Sequence, residues 1–207
     1  MKNVSFTSNS ADNIHCVNAV FRMIYKYYFD EEFTWQEIDK LAHAIKGKAT
    51  WTFIVEMELA KRGINVHNIE SVDYLQLYKK GENYLKEIVG EESADYYLNK
   101  SNIKSVLKYI PQYLKVVNHE TRKATINEII AALKNNCLVA AEINSSILNN
   151  KQGFDLHLVL IYDYDGVNLI LHDPGLPPIK SRRVTIDEFK KCFNYPGANC
   201  GITIFSK

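Results

Sequence analysis

Three side chains, far apart in the chain, have the types that nucleophilic acyl chemistry needs: Cys16, His157 and Asp173. The thiolate is the nucleophile, and free cysteine titrates near ~8.5, so a reactive cysteine needs surroundings that lower that value. A helix N-terminus does this through its unpaired N–H groups and the macrodipole. Cys16 stands at the start of CVNAVFRMIYKYYF, where Val17, Val20, Phe21, Ile24 and Tyr28 recur at helical spacing. Asn13 or one of its neighbours is the expected cap. A lone cysteine on an apolar helix is more often a buried structural thiol; here its distant partners change the reading.

Those partners lie in HLVLIYDYDGVNLILHDPG, residues 157–175, which reads as two apolar strands joined near Asp165-Gly166. His157 opens the first strand, where it can face a cleft and act as a general base toward the thiol. Asp173 closes the second. A three-residue loop of Tyr164, Asp165 and Gly166, with the glycine left-handed, pairs Asp163 with Val167 and sets His157 opposite Asp173 on one face. A two-residue loop at Asp165-Gly166 pairs Leu158 with Asp173 and sends the two side chains to opposite faces. The three-residue loop is the expectation.

Other candidates are weaker. His15 reads as a cap or surface group, and His172, next to Asp173 on a strand, faces away from it. Asp163, Asp165 and Asp173 lack the spacing of a calcium loop, so turn chemistry explains them better. Cys137, Cys192 and Cys200 read as core or tail thiols. No CxxC pair or zinc spacing is present, and no metal or cofactor is expected.

The remaining elements must position these groups. Thr34 with Glu37 forms a capping box for TWQEIDKLAHAIKG, with Gly47 as its stop. TWTFIVEMELAKRG gives a third helix ending at Gly63, and INVHNI a short strand. Residues 71–115 are helical in propensity and charged; they are expected to form an insert of two short helices, ending in a strand, YLKVV. Thr125 with Glu128 caps TINEIIAALKNN, and CLVAAEIN follows as a buried strand. After the hairpin come a GLPP turn, a strand at Arg183-Val184, a helix TIDEFKKCF and a last strand GITIFSK. Helices first, then mostly antiparallel strands, is an α+β order rather than an alternating βαβ one.

At 207 residues, 46% of them hydrophobic, the chain suffices for one domain, expected over 1–207, with a sizeable core. The net charge of +1 creates no bulk field for nucleic acid or anionic membrane. No run approaches the ~18 apolar residues of a membrane span, and the N-terminus has no apolar signal region. Few, unpaired cysteines fit a reducing cytoplasm, the expected location.

The Cys16 helix, His157 opening an apolar strand, and LHDPG together resemble the papain-like family of bacteriocin double-glycine leader peptidases and their stand-alone relatives. TINEIIAALKNNCLVAAEIN, a helix and strand leading up to the histidine, is also similar to that family. The resemblance implies a papain-like fold with N-terminal helices packed on a C-terminal antiparallel sheet, and a triad of Cys16, His157 and Asp173. The family usually has CGP at the nucleophile, where this chain has Cys16-Val17-Asn18. It also usually has a glutamine oxyanion donor about six residues earlier, where this chain has Ser10. Asn13 is the expected replacement donor, Ser10 the alternative, beside the Cys16 N–H.

The expected function is a cysteine peptidase or amidase acting on a peptide or amide bond. An acyltransferase using the same triad, or an inactive peptidase-like binding domain, are the alternatives. A peptide or acyl substrate is the expected partner. Since the family domain is often fused to a membrane transporter and nothing follows Lys207 here, a stand-alone role is expected.

Overall fold

The structure is a computed structural model and describes residues 2–89 and 91–207. Three helices lead the chain: α1 (Cys16–Phe29), α2 (Trp35–Leu41) and α3 (Phe53–Lys61). Strand β1 (Asn65–Glu70) follows, then a helical stretch of α4 (Tyr74–Lys80), α5 (Glu82–Val89), α6 (Glu91–Lys100), α7 (Ile103–Val106) and, after one 3-10 turn, α8 (Ile110–Val116). The second half holds β2 (Asn118–Thr121), α9 (Ile126–Lys134), β3 (Leu138–Asn144), α10 (Ser145–Leu148), β4 (Leu156–Tyr164), β5 (Asn168–Asp173), β6 (Ile179–Thr185), α11 (Ile186–Phe193) and β7 (Ile202–Ser206).

The strands form one seven-stranded sheet in the order β2-β1-β7-β3-β4-β5-β6. Its neighbours are antiparallel except β1 and β2, which run parallel. The sheet is therefore not purely C-terminal, because β1 and β2 come from either side of the helical stretch. Central strands read as near-continuous apolar runs because both faces are covered. Leu158, Leu160 and Tyr162 of β4 join Phe21 and Ile24 of α1 in one core; Val159 and Ile161 join Ile129 of α9 and Phe189 of α11 in the other.

The capping boxes form as their sequences require. Thr34, Thr125 and Thr185 each accept from the N–H three residues on, and Glu37, Glu128 and Glu188 bond back. The 71–115 stretch carries α4 to α8 rather than the two short helices expected, and two boundaries also differ. The helix capped by Thr34 ends at Leu41, well before Gly47, because His43 takes up a left-handed conformation at φ 52°. YLKVV is not a strand: it lies in and just after α8, where Tyr113 is buried and its hydroxyl donates to Glu56 Oε2 at 2.8 Å. The strand begins two residues beyond that tyrosine-anchored helix, at Asn118.

Phe21 is fully buried and meets Phe205 of β7 edge-on, with ring centroids 5.8 Å apart. This contact fastens α1 to the sheet. Phe21→Ala is expected to cost about 3–5 kcal/mol, read as a fall in the urea midpoint.

Candidate active site

Cys16 is the first residue of α1, and the helix start has no side-chain cap: His15 occupies the N-cap position without donating or accepting there. The expected cap, Asn13, sits instead in the preceding turn at φ 59°. Uncapped N–H groups leave the helix terminus open to an anion. Burial alone pushes the Cys16 thiol up, but contact with His157 and the backbone N–H groups of Leu158 and Val17 outweighs it, holding the thiol below its ordinary value. The other three cysteines go the opposite way. Burial raises Cys137 and Cys200 and pushes Cys192 up to about 12.

His157 and Asp173 meet: Nε2 donates to Asp173 Oδ1 at 2.9 Å, with both side chains buried. That leaves Nδ1 for Cys16. Burial disfavours the imidazolium, yet Asp173 and Cys16 more than compensate and raise its pKa. Asp173 is likewise penalised by burial but held below the ordinary carboxylate range by His157, the Gly175 N–H and Arg182.

The route to this contact differs from the sequence expectation. The turn differs: Asp165 N–H donates to Asn168 O at 3.1 Å and Asp165 Oδ1 accepts the N–H groups of Val167 and Asn168, so two residues, Gly166 and Val167, lie between the paired ones rather than three. Tyr164 then pairs with Leu169 and Asp163 with Ile170. Continued unchanged, that register would put His157 and Asp173 on opposite faces. A β-bulge between Ile161 and Asp163 inserts one residue and restores the parity, so Ile161 pairs with Leu171 and Leu160 with His172. His157 and Asp173 end as diagonal neighbours on one face rather than direct partners.

Two supports went unseen in the sequence. Arg182 of β6 donates from Nη1 to Asp173 Oδ2 at 3.0 Å and to Asn149 Oδ1 at 2.7 Å, and from Nη2 to Leu148 O at 2.7 Å. Gly175 donates its N–H to Asp173 Oδ1 at 3.0 Å, and a Cβ there would lie 3.0 Å from that oxygen and 3.3 Å from His157 Nε2. An arginine on a strand carries no local signal of such a role. HDPG, by contrast, already placed the glycine beside the aspartate.

The loop before Cys16 is tied to the same corner. Asn9 donates its backbone N–H to Pro174 O at 2.7 Å, and its Oδ1 accepts the N–H groups of Ser10 and His15, each at 2.9 Å. Asn13 is exposed, its Oδ1 accepting from Asn9 Nδ2 at 3.2 Å. Ser10 Oγ donates to Asp12 Oδ1 at 2.6 Å and lies 2.8 Å from His15 Nδ1. Asn9, buried and unremarked in the sequence, is thus a further amide in this loop. His172 is fully buried away from the pair, with Nε2 donating to Val4 O and Nδ1 accepting from Ser181 N.

Cys16 and His157 open onto a cavity of about 320 Å³ whose walls include Trp51, Tyr74, Tyr97 and Leu158. Among the described residues, no group of three or more His, Cys, Asp or Glu side chains is placed to hold a metal ion. No described helix is long and apolar enough to cross a membrane.

A mixed α/β chain with this seven-stranded sheet has the fold of a papain-like peptidase domain. Among solved structures it is similar to the peptidase domain of Streptococcus ComA, a bifunctional ABC transporter involved in a quorum sensing pathway. The TM-score is 0.51 and the identity 13%, over 99% of this chain and 98% of that one. No protein-family model and no curated protein matches the sequence.

Removing the support behind Asp173 should be felt at Cys16. Arg182→Met is expected to slow alkylation of Cys16 at neutral pH by about tenfold, the worth of one pKa unit, and Gly175→Ala by at least as much. Peptide mass spectrometry reads both. Glu142 on the cavity wall gives a separate expectation, since burial and the charge of Glu70 push it up to about 8. A raised carboxyl favours the folded state below its unfolded value near ~4.3 and loses that contribution as pH rises toward 8. Glu142→Gln should therefore be more stable than wild type above about pH 5, the gap in urea midpoint widening up to about pH 8.

Proposed function

We propose that the chain is a papain-like cysteine hydrolase acting on a peptide or amide bond. The observation that carries this reading is the half-buried Cys16 beside the buried pair of His157 and Asp173, in which one thiol of four is held below its ordinary value while its histidine is raised. Cys16 Sγ gives its proton to His157 and attacks the carbonyl carbon, forming a tetrahedral oxyanion. As the C–N bond breaks, His157 returns the proton to the leaving amine. Water then attacks the thioester with His157 as base; the C–S bond breaks and the acid is released. Asp173 orients the imidazole throughout.

The oxyanion in this reading is held by the Cys16 N–H and an amide of the loop before it. Asn13 is one donor for that role; Asn9, buried and bonded to the backbone beside Asp173, is the other. Ser10 fits less well, since Asp12 takes its proton. Loss of the true donor should lower kcat by about 10²–10³ with substrate binding little changed. Comparing Asn9→Ala with Asn13→Ala in steady-state kinetics assigns the role, and no effect in either removes the loop from the site.

The thioester is also the intermediate of an acyltransferase, so product analysis with and without added amine separates the two outcomes. The test of the reading itself is turnover of a fluorogenic peptide library. Activity should rise with pH through the lowered Cys16 value and fall again as His157 deprotonates, and vanish in Cys16→Ala. Hydrolysis that survives Cys16→Ala would refute it.

A further inference from the structure

The cavity beside Cys16 carries a second chemical feature that the proposed reaction does not use. Glu70, at the end of β1, and Glu142, on β3, flank Gly201 just before β7. Glu142 N–H donates to Gly201 O at 3.0 Å, and a Cβ on Gly201 would lie 3.4 Å from Glu70 Cβ and 3.9 Å from Glu142 Cβ. Both glutamates line the cavity, and the missing side chain of Gly201 leaves the sheet bare between them.

The two are not equivalent. Glu70 is buried and anchored: Asn199 Nδ2 donates to its Oε2 at 2.7 Å, and the Tyr74 hydroxyl bonds it too. The Glu142 carboxyl has no hydrogen-bond partner among the described residues. Thr50 points independently to a missing group. It lines the same cavity, is only 6% exposed, and its Oγ1 has no hydrogen-bond partner among the described residues. Withdrawn polar groups cost free energy unless something bonds them. Burial and the charge of Glu70 push Glu142 up to about 8, and a cation bound beside it would favour its ionised form. Lys123, an exposed residue, also borders the cavity.

We propose that Glu70 and Glu142, with Thr50, form a cation subsite that selects substrates bearing an ammonium group on the part bound in the cavity. This rests on the cysteine-hydrolase reading above. Register fixes the reach. Glu142 pairs with Leu158, whose N–H contacts the Cys16 sulfur, and Gly201 lies one strand further. Strands are ~4.8 Å apart, so the floor between the carboxylates is on the order of 10 Å from the nucleophile. An extended peptide advances ~3.3 Å per residue. The ammonium is therefore an N-terminal one about three residues from the scissile carbonyl, or a lysine side chain one residue nearer. An ammonium desolvated there would donate charge-assisted hydrogen bonds to the Glu142 carboxylate and to Thr50 Oγ1, which lack partners among the described residues.

The test measures alkylation of Cys16 by mass spectrometry with three chloromethyl ketones: Ala-Ala-Gly with a free N-terminus, its N-acetylated form, and N-acetyl-Ala-Lys-Gly. Iodoacetamide serves as an uncharged, unspecific control. At least one ammonium probe should react about tenfold or more faster than the acetylated Ala-Ala-Gly probe, the size expected of a charge-assisted bond. Which one does so tells the N-terminal from the side-chain source. That preference should disappear in the Glu70→Gln, Glu142→Gln double variant. Equal rates for all three probes on the wild type, or a preference that survives the double variant, would overturn the subsite. If Cys16 reacts with iodoacetamide no faster than Cys137, Cys192 and Cys200, the hydrolase reading itself fails, and the subsite with it.

Discussion

The hydrogen bond from His157 Nε2 to Asp173 Oδ1 is the interaction around which the rest of this site is arranged. Burial opposes charge on both residues, so neither would ionise there alone. Together they do, because each is the other's counter-charge and Arg182 and the Gly175 N–H hold the carboxylate from behind. Breaking one partner of such a group leaves an uncompensated buried charge, which is why the support matters as much as the pair. The consequence reaches Cys16: a raised imidazole beside a helix-start thiol favours thiolate over thiol.

The fold brings these parts together by two devices. The sheet fixes His157 and Asp173 through the β4–β5 register, corrected by one inserted residue near Tyr162. The N-terminal loop then fixes Cys16 to the same corner, because Asn9 bonds Pro174 on one side and the His15 N–H on the other. The helix carrying the thiol and the strands carrying its base are thus joined by short, buried polar contacts. Packing of Phe21 on Phe205, within a larger apolar cluster, adds adhesion behind them.

Much of this was legible in the sequence, for local reasons. Helical spacing after Cys16, two Thr-x-x-Glu boxes and apolar strand runs are signals a short window carries, and the corresponding elements form. The failures are equally physical. YLKVV has strand composition, but burial of Tyr113 against Glu56 holds it in a helix. The hairpin loop was read as the three residues 164–166 rather than the two residues 166–167, because the reading weighed Gly166 and not the Asp165 carboxylate. The two-residue turn that forms instead would have put His157 and Asp173 on opposite faces, had a bulge not restored the parity. Bulges carry no sequence mark of their own, and neither does Arg182, whose partners lie on other elements. Asn9 was passed over because its role depends on Pro174, far along the chain.

The most direct measurement of the central claim is the pH dependence of iodoacetamide alkylation at each of the four cysteines, in wild type and in His157→Ala. A thiolate–imidazolium pair predicts that Cys16 reacts selectively well below pH ~8 in the wild type, and that this reactivity shifts up toward the free-thiol range near ~8.5 in the variant. If Cys16 is inert, or titrates as an ordinary thiol in both proteins, His157 does not activate it and the chain is a binding module on a peptidase-like scaffold.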